Sequence, residues 1–256
     1  MSQAPLQVWI DRGGGLLRLR LARPKANILD AEMIATIASV FAQHRDPGAI
    51  RAALVDHEGP HFSFGASVEE HLPAQCAAML KGLHALLVAM LEWPRPILFA
   101  ARGQCLGGGL EFALAGSRLI VSPDAQLGQP EMKLGVFAPA ASALLSFRVN
   151  QATAEDLLLS GRSVGAAEAL SLGLVQAIAD DPAAASLEYF DQHLAGKSAS
   201  SIGFAVRAAR TGMLDEAKRR IAAVEKLYLE GLMATHDAVE GLDAFLAKRA
   251  AAWRHA

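Results

Sequence analysis

The chain has 256 residues, of which 52% are hydrophobic and 6% aromatic, and its 24 basic residues nearly balance 26 acidic ones. A chain of this length forms one large domain, or one domain with a small appendage, and can bury a sizeable core. The net charge of -2 gives no electrostatic reason to expect nucleic acid or an anionic membrane as the main partner.

The sequence predicts no membrane span, secretory signal, disulfide framework or metal site. Its longest stretch without a charged residue, 134–147, is interrupted by Gly135 and Pro139 and is shorter than the roughly 20 apolar residues of a bilayer span. The N-terminus lacks the basic start and apolar run of a signal peptide. Cys76 and Cys105 are too few for a disulfide framework or a metal-binding cluster. We therefore expect a cytoplasmic protein.

The N-terminal half alternates short apolar strands with helices. Residues 6–10 and 17–21 predict a hairpin, with Arg18 and Arg20 on a solvent-facing side of the second strand. Asp30 is placed to cap the next helix. Further strands are predicted at 50–55, 97–101 and 118–121, and a helix at 73–91. This alternation predicts an α/β fold with crossover connections.

Helical periodicity dominates after about residue 140. It predicts helices over 140–149, 153–160, 165–172, 202–213, 215–231 and 236–253. Asp180-Asp181-Pro182 has the composition of a hinge or linker. The final helices each carry an apolar face, so we expect them either to fold back on their own core or to pack on a neighbouring subunit.

Three loops rich in small residues follow apolar strands, at 61–67, 102–111 and 126–131. The glycines at 107–109 begin a helix, whose first N–H groups can face a phosphate or an oxyanion. No Lys-Ser/Thr follows them, so the phosphate interpretation is the weaker one. Gly65-Ala66 is a candidate for the second donor of an oxyanion hole. Alternatively, the glycines only permit close packing of helix on sheet.

Glu111 and Glu131 are the candidate acid–base residues. Glu111 lies in an apolar helical segment, where a carboxyl is either buried with a raised pKa or reaches solvent. Glu131 follows Pro130 and could equally be an ordinary solvated charge. The serines lack a GxSxG elbow, and Cys105 has no adjacent base, so nucleophilic catalysis is not expected.

Five motifs in order resemble the crotonase (enoyl-CoA hydratase/isomerase) superfamily, along nearly the whole chain. They are Arg23–Leu29, Phe62–Ser67, Leu106–Glu111, Gln129–Glu131, and Ser160–Arg162 together with 167–175. The resemblance implies a ββα spiral core over 1–195 and an all-helical trimerisation region over 196–256. It also implies a homotrimer or a hexamer made of two trimers. The implied substrate is an acyl-CoA thioester, and no separate cofactor is expected because coenzyme A is part of the substrate.

The resemblance also implies roles for individual residues. Glu111 and Glu131 correspond to the two catalytic glutamates, and the amides of Ala66 and Gly108 to the oxyanion hole. The residues implied to contact coenzyme A or substrate are Lys25, Ala26, Phe64, Ala66, Ser67, Val68, Gly107 and Gly108. Phe137 and Pro139 are implied to line the acyl pocket.

Two departures from the common family pattern bear on the substrate. Ser67 replaces an aspartate, and residues 135–142 replace a Gly-Gly-Thr loop with methyl groups and a proline, which stiffens the predicted acyl pocket. These segments resemble family members that hydrate a cyclic dienoyl-CoA in anaerobic benzoyl-CoA degradation.

The enzymatic alternatives are ordinary enoyl-CoA hydration and ring-opening hydrolysis of an oxo-cyclohexene thioester. A non-catalytic CoA-ester sensor or RNA-binding scaffold is the alternative of another class. Both glutamates argue against lost catalysis, and the balanced charge argues against RNA.

Overall fold

The computed structural model describes residues 4–256. Its larger sheet has six strands in the order β1-β2-β3-β4-β6-β9, and the smaller has three in the order β5-β7-β8. The strands are β1 (Leu6–Asp11), β2 (Leu16–Leu21), β3 (Ala52–His57), β4 (Ile97–Ala101), β5 (Gln104–Leu106), β6 (Arg118–Val121), β7 (Gln126–Gly128), β8 (Ser163–Gly165) and β9 (Ala177–Ile178). The β1–β2 hairpin is antiparallel, and every other pair in the larger sheet is parallel. The predicted α/β fold with crossover connections is confirmed.

The described residues form ten helices. They are α1 (Ala31–Gln43), α2 (Cys76–Glu92), α3 (Gly108–Leu114), α4 (Pro139–Leu144), α5 (Gln151–Ser160), α6 (Ala166–Ser171), α7 (Pro182–His193), α8 (Ala199–Ala209), α9 (Met213–Lys226) and α10 (His236–Leu246). Asp30 caps α1 as predicted, since its side chain accepts from Met33 N–H. None of the helices among residues 4–256 is long and apolar enough to cross a bilayer.

An aromatic cluster in the core supports the loops that follow the strands. Phe112 of α3 packs edge-on against Phe99 of β4, with ring centroids 5.0 Å apart, and both rings contact Phe62. All three side chains are fully buried. Aromatic contacts of this kind add to the free energy of area burial and restrict orientation. The cluster therefore holds α3 and the loop beginning at Phe62 in fixed positions over the sheet.

The prediction of a solvent-facing side on β2 is wrong for Arg18. This side chain is 5% exposed and donates to the buried carboxylate of Asp56 at 2.6 Å. Its guanidinium also lies 4.9 Å from the centre of the Trp9 ring on the neighbouring strand. Elsewhere on this face of the sheet, Phe190 of α7, a helix that was not predicted, packs with Leu16 and Leu54.

Two further predictions in the C-terminal region need correction. The expected linker at 180–182 is the start of α7, because Asp181 accepts from the N–H groups of Ala183 and Ala184, both at 3.0 Å. The predicted helix over 236–253 ends at Leu246. Lys248 then adopts a positive φ of 53°, and the chain turns back so that Trp253 lies beside Gly135.

The C-terminal helices cover the core of their own chain. Helix α9 packs on α4 and α2, and α10 packs on the 3₁₀ turn Pro130–Leu134. The contact with α10 is close, since a Cβ on Gly241 would meet the carbonyl of Leu134. The helices thus fold back on their own chain, one of the two arrangements expected from the sequence, and α10 covers the turn that carries Glu131.

Candidate active site

The loop after Gly65 and the start of α3 lie side by side. The link between them is strand-like: Ser63 N–H donates to Gln104 O, and Leu106 N–H donates to Ser63 O, both at 3.0 Å. A Cβ on Gly108 would lie only 2.9 Å from the amide nitrogen of Ala66. Among residues 4–256, no protein acceptor is bound by the N–H of Ala66 or of Gly108. Two unengaged donors therefore lie close together, as an oxyanion hole requires.

The third loop joins the other two through Gly107. Its N–H donates to Gly128 O at 2.9 Å, which connects the start of α3 to the end of β7. Gly107 has a φ of 51°, and a Cβ there would lie 2.5 Å from Glu131 Oε1. Glycine is required at this position for both reasons. Because Gly107 has no side chain, the Glu131 carboxyl lies close to the backbone just before the Gly108 amide.

Glu111 is held inside the protein by the first turn of α3. It is 3% exposed, and its Oε1 accepts from Ala141 N–H at 2.8 Å. Burial raises the pKa of Glu111 to about 7, against the opposing effect of hydrogen bonds from the backbone of Ala141 and Ala140. This carboxyl can therefore exchange a proton near neutral pH.

Glu131 projects from the turn Pro130–Leu134 into the same cavity as Glu111. Burial and the nearby charge of Glu111 together raise the pKa of Glu131 to about 8. The side-chain amide nitrogen of buried Gln129 donates to Glu131 Oε2 at 3.2 Å. Two interacting carboxyls of this kind titrate as a pair, so between their two titration steps one holds a proton while the other is ionised.

Most of the predicted site residues surround one cavity. The predicted residues on its surface are Phe64, Ala66, Val68, Gly107, Gly108, Glu111, Glu131 and Pro139. Four others are not on this surface. Lys25 is exposed, and Ala26 O accepts from Phe64 N–H at 2.9 Å. Ser67 O accepts from His71 Nδ1, and Phe137 packs against Tyr228.

The sequence reasoning missed two polar residues at this site. His71 lines the cavity with its ring held by the 2.7 Å bond to Ser67 O, and burial lowers its pKa. Tyr228 is fully buried behind the cavity wall. Neither residue belongs to a loop motif or to metal-ligand spacing, so no local pattern marked them. Within residues 4–256, no cluster of His, Cys, Asp and Glu could hold a metal ion.

Comparisons with known proteins agree with this geometry. The family model described as "Enoyl-CoA hydratase/isomerase" matches residues 11–256. The chain is 61% identical to a cyclohexa-1,5-dienecarbonyl-CoA hydratase of Thauera aromatica, over 100% of both chains. It is 30% identical to a carnitinyl-CoA dehydratase of Proteus mirabilis, over 94% of this chain and 95% of that one. The chain belongs to the enoyl-CoA hydratase/isomerase family.

The fold of this family member is also that of solved relatives. A crystal structure of an enoyl-CoA hydratase/isomerase from Pseudoalteromonas atlantica superposes with a TM-score of 0.83 at 28% identity, covering 97% of this chain and 99% of that one. The crotonase fold expected from the five motifs is thus confirmed, and the protein is an enzyme of the hydratase family.

The raised carboxyl pKa values in this hydratase-family protein predict a pH-dependent stability. Between about pH 5 and pH 8 the folded protein binds more protons than the unfolded chain, so its free energy of unfolding decreases as pH rises. The double variant Glu111→Gln/Glu131→Gln lacks this decrease. The difference in unfolding free energy, variant minus wild type, should therefore be larger at pH 8 than at pH 5. We expect the increase to be at least about 1.4 kcal/mol, the equivalent of one pKa unit. Urea unfolding of both proteins at pH 5 and pH 8 measures this increase. The same difference between variant and wild type at both pH values would contradict the prediction.

Proposed function

We propose that this protein adds water to cyclohexa-1,5-diene-1-carbonyl-CoA and forms 6-hydroxycyclohex-1-ene-1-carbonyl-CoA in anaerobic benzoyl-CoA degradation. The observation that carries the reaction type is a single cavity that brings the buried carboxyl of Glu111 and the half-buried carboxyl of Glu131 beside the unengaged amides of Ala66 and Gly108. The acyl group is supported by the 61% identity to the hydratase named for this substrate.

The amides of Ala66 and Gly108 are proposed to bind the thioester carbonyl oxygen. As water adds to the β-carbon, negative charge develops on this oxygen as an enolate, and both N–H groups donate to it. One preorganised donor of this kind lowers a barrier by about 3–4 kcal/mol. In a cyclic 1,5-dienoyl thioester the enolate is conjugated with the second double bond, so the charge extends to the distal carbon of that bond.

Glu111 and Glu131 are proposed to divide the proton transfers between them. The ionised carboxyl accepts a proton from water while its oxygen bonds to the β-carbon. The protonated carboxyl delivers its proton to the distal carbon of the second double bond. One molecule of water is consumed, the remaining double bond now begins at the carbon that bears the thioester carbonyl, and the carboxyl pair again holds one proton. Coupled carboxyls with raised pKa values suit this exchange at neutral pH.

The remaining residues are proposed to hold the thioester. Lys25 is exposed next to Ala26 and can pair with phosphates of coenzyme A, while Phe64, Ser67, Val68 and Gly107 border the path of the thioester. Phe137 and Pro139 shape the wall around the acyl ring. No cofactor besides the coenzyme A of the substrate is needed for this addition, and a cytoplasmic location is proposed.

Residues 196–256 are proposed to mediate assembly into a homotrimer or a hexamer, with residues 1–195 as the catalytic core. Five large apolar side chains of this region remain exposed on the single chain: Phe204 at 69%, Leu227 at 60%, Phe245 at 53%, Trp253 at 42% and Leu246 at 36%. Exposed apolar residues of this size are typical of subunit contacts when they form a patch. Light scattering in solution measures the assembly, and a monomer would exclude it.

A panel of CoA thioesters tests the proposed function. We expect kcat/KM for cyclohexa-1,5-diene-1-carbonyl-CoA to exceed that for crotonyl-CoA by at least about tenfold, because the stiff wall around Pro139 fits a ring better than a short flexible chain. Mass spectrometry of the product distinguishes addition of one water from ring opening. Equal or better turnover of crotonyl-CoA would overturn the assignment of the acyl group.

A further inference from the structure

The ring of Trp253, in the segment after α10, lies between two glycines near the active site. A Cβ on Gly135 would lie 2.9 Å from Cζ3 of this ring, and a Cβ on Gly241 would lie 2.9 Å from its Cη2. The outer edge of the indole is therefore in contact with the backbone of both glycines. A side chain at either position would push the ring away, so both positions require glycine.

Gly135 ends the turn Pro130–Leu134, from which Glu131 projects into the cavity. Gly135 has a left-handed φ of 72°, and its N–H donates to Met132 O at 3.2 Å. The next N–H, of Val136, donates to Glu131 O at 3.3 Å. These two bonds close the turn. The ring that packs on Gly135 therefore contacts the backbone that sets the direction of the Glu131 side chain.

Gly241 belongs to α10 and gives the indole a firm support on its other side. Both Gly241 and Leu242 are buried, and Leu242 lines the cavity. Helix α10 packs on the turn that carries Glu131. Trp253 is 42% exposed, so more than half of its surface is covered in this position. The indole is thus wedged between α10 and the turn.

Two carboxylates of α10 hold the residues on either side of Trp253. Glu240 accepts from the N–H of Ala252 at 2.7 Å. Asp237 accepts from the N–H of Arg254 at 2.8 Å. Hydrogen bonds to an ionised acceptor are roughly twice as strong as those between neutral groups. The backbone before and after Trp253 is therefore fixed to α10, and the indole is directed at the turn.

Trp253 does not line the cavity, so any effect on the reaction acts through Glu131. Misplacing a catalytic group by about 1 Å can lower a rate by about 10²-fold. We propose that Trp253 is a positioning residue that holds the turn Pro130–Leu134 against α10 and so fixes the Glu131 carboxyl beside Glu111 and the Gly108 amide. This inference rests on the proposed hydration.

Hydrogen exchange tests the holding of the turn without any substrate. In Trp253→Ala we expect the amides over residues 131–136 to exchange at least about tenfold faster than in wild type, because the turn opens locally more often without its support. The amides of β4 and β6 should exchange as in wild type. Unchanged exchange over residues 131–136 would overturn the inference.

Kinetics of the same variant test the consequence for catalysis. We expect kcat for hydration of cyclohexa-1,5-diene-1-carbonyl-CoA to fall about 10- to 100-fold. The Kd of cyclohexanecarbonyl-CoA, a saturated thioester that cannot react with water, should stay within about threefold. Trp253→Phe, whose ring fills part of the same space, should restore kcat to within about threefold of wild type. A kcat of Trp253→Ala within twofold of wild type would overturn the inference, as would equally weakened cyclohexanecarbonyl-CoA binding or no restoration by phenylalanine.

Trp9→Ala is the matched control. Trp9 lies on β1 with its ring against the guanidiniums of Arg18 and Arg20, and loses the same side chain outside the site. We expect its kcat to equal that of wild type. Light scattering should show the same assembly for Trp253→Ala and wild type, and a changed assembly would overturn the inference by assigning the loss to subunit contacts. If Trp253→Ala does not fold, Trp253→Leu takes its place with the same expected results.

Failure of this inference is distinguishable from failure of the proposed function. If wild-type protein hydrates the dienoyl thioester and Trp253→Ala does so equally well, only the role of Trp253 is wrong. If wild-type protein does not hydrate this thioester, the proposed function is wrong, and the catalytic role of Trp253 is overturned with it. Hydrogen exchange still decides in that case whether Trp253 holds the turn.

Discussion

Replacing Glu131 or Glu111 by Gln is expected to lower kcat for hydration of cyclohexa-1,5-diene-1-carbonyl-CoA by about 10²- to 10⁴-fold, the usual contribution of general acid–base catalysis. Glutamine has the size of glutamate and can still accept from Ala141 N–H at position 111, so packing is preserved. It cannot exchange a proton. Initial-rate measurements on each single variant give the effect directly.

An exposed glutamate supplies the control for this pair of variants. Glu155→Gln on the surface of α5 makes the same chemical change away from the cavity and should leave kcat unchanged. Because the two carboxyls act as a unit, the double variant should lose little more than the more damaged single variant. Near wild-type kcat in both single variants would exclude the two-carboxylate mechanism.

Gly108→Ala is expected to lower kcat by about 10²- to 10³-fold, the effect of losing one oxyanion-hole donor. The new Cβ would lie 2.9 Å from Ala66 N and 3.1 Å from Ala66 Cβ, so it occupies the space between the two donors. The carbonyl oxygen can then no longer accept from both amides. Rates and KM for the dienoyl thioester measure the loss.

Gly82→Ala is the matched control for the glycine substitution. Gly82 lies inside α2, where a Cβ would meet only Ile34 Cγ2 at an ordinary 3.7 Å. Alanine is the better helix former, so this variant should be as stable as wild type or more so, with unchanged kcat. If Gly108→Ala retained more than a tenth of wild-type kcat, the amide of Gly108 would not be part of the oxyanion hole.

Local sequence pattern was enough to predict much of the fold. The strand predicted at 97–101 coincides with β4, and the one at 118–121 coincides with β6. Asp30 caps α1 because a side-chain acceptor at a helix start acts on its own N–H neighbours. Such features depend on residues close in the chain, which is why a single sequence reveals them.

Features that depend on distant residues were not predicted. Arg18 alternates with leucines like a surface residue, yet it is buried because β1 and β3 bring the Trp9 ring and the Asp56 carboxylate against it. His71 lines the cavity and Tyr228 packs behind its wall, and both come from separate segments that meet only after the chain folds. No spacing within either segment signals that position.

The sequence by itself determined which groups are available for catalysis: two glutamates, two glycine-containing loops, and a segment at 135–142 that contains a proline. Only the tertiary structure decided that these groups share one cavity and that both carboxyls have raised pKa values. The physical reason is that a pKa depends on burial and on neighbouring charge, and both are set by contacts between segments far apart in the chain.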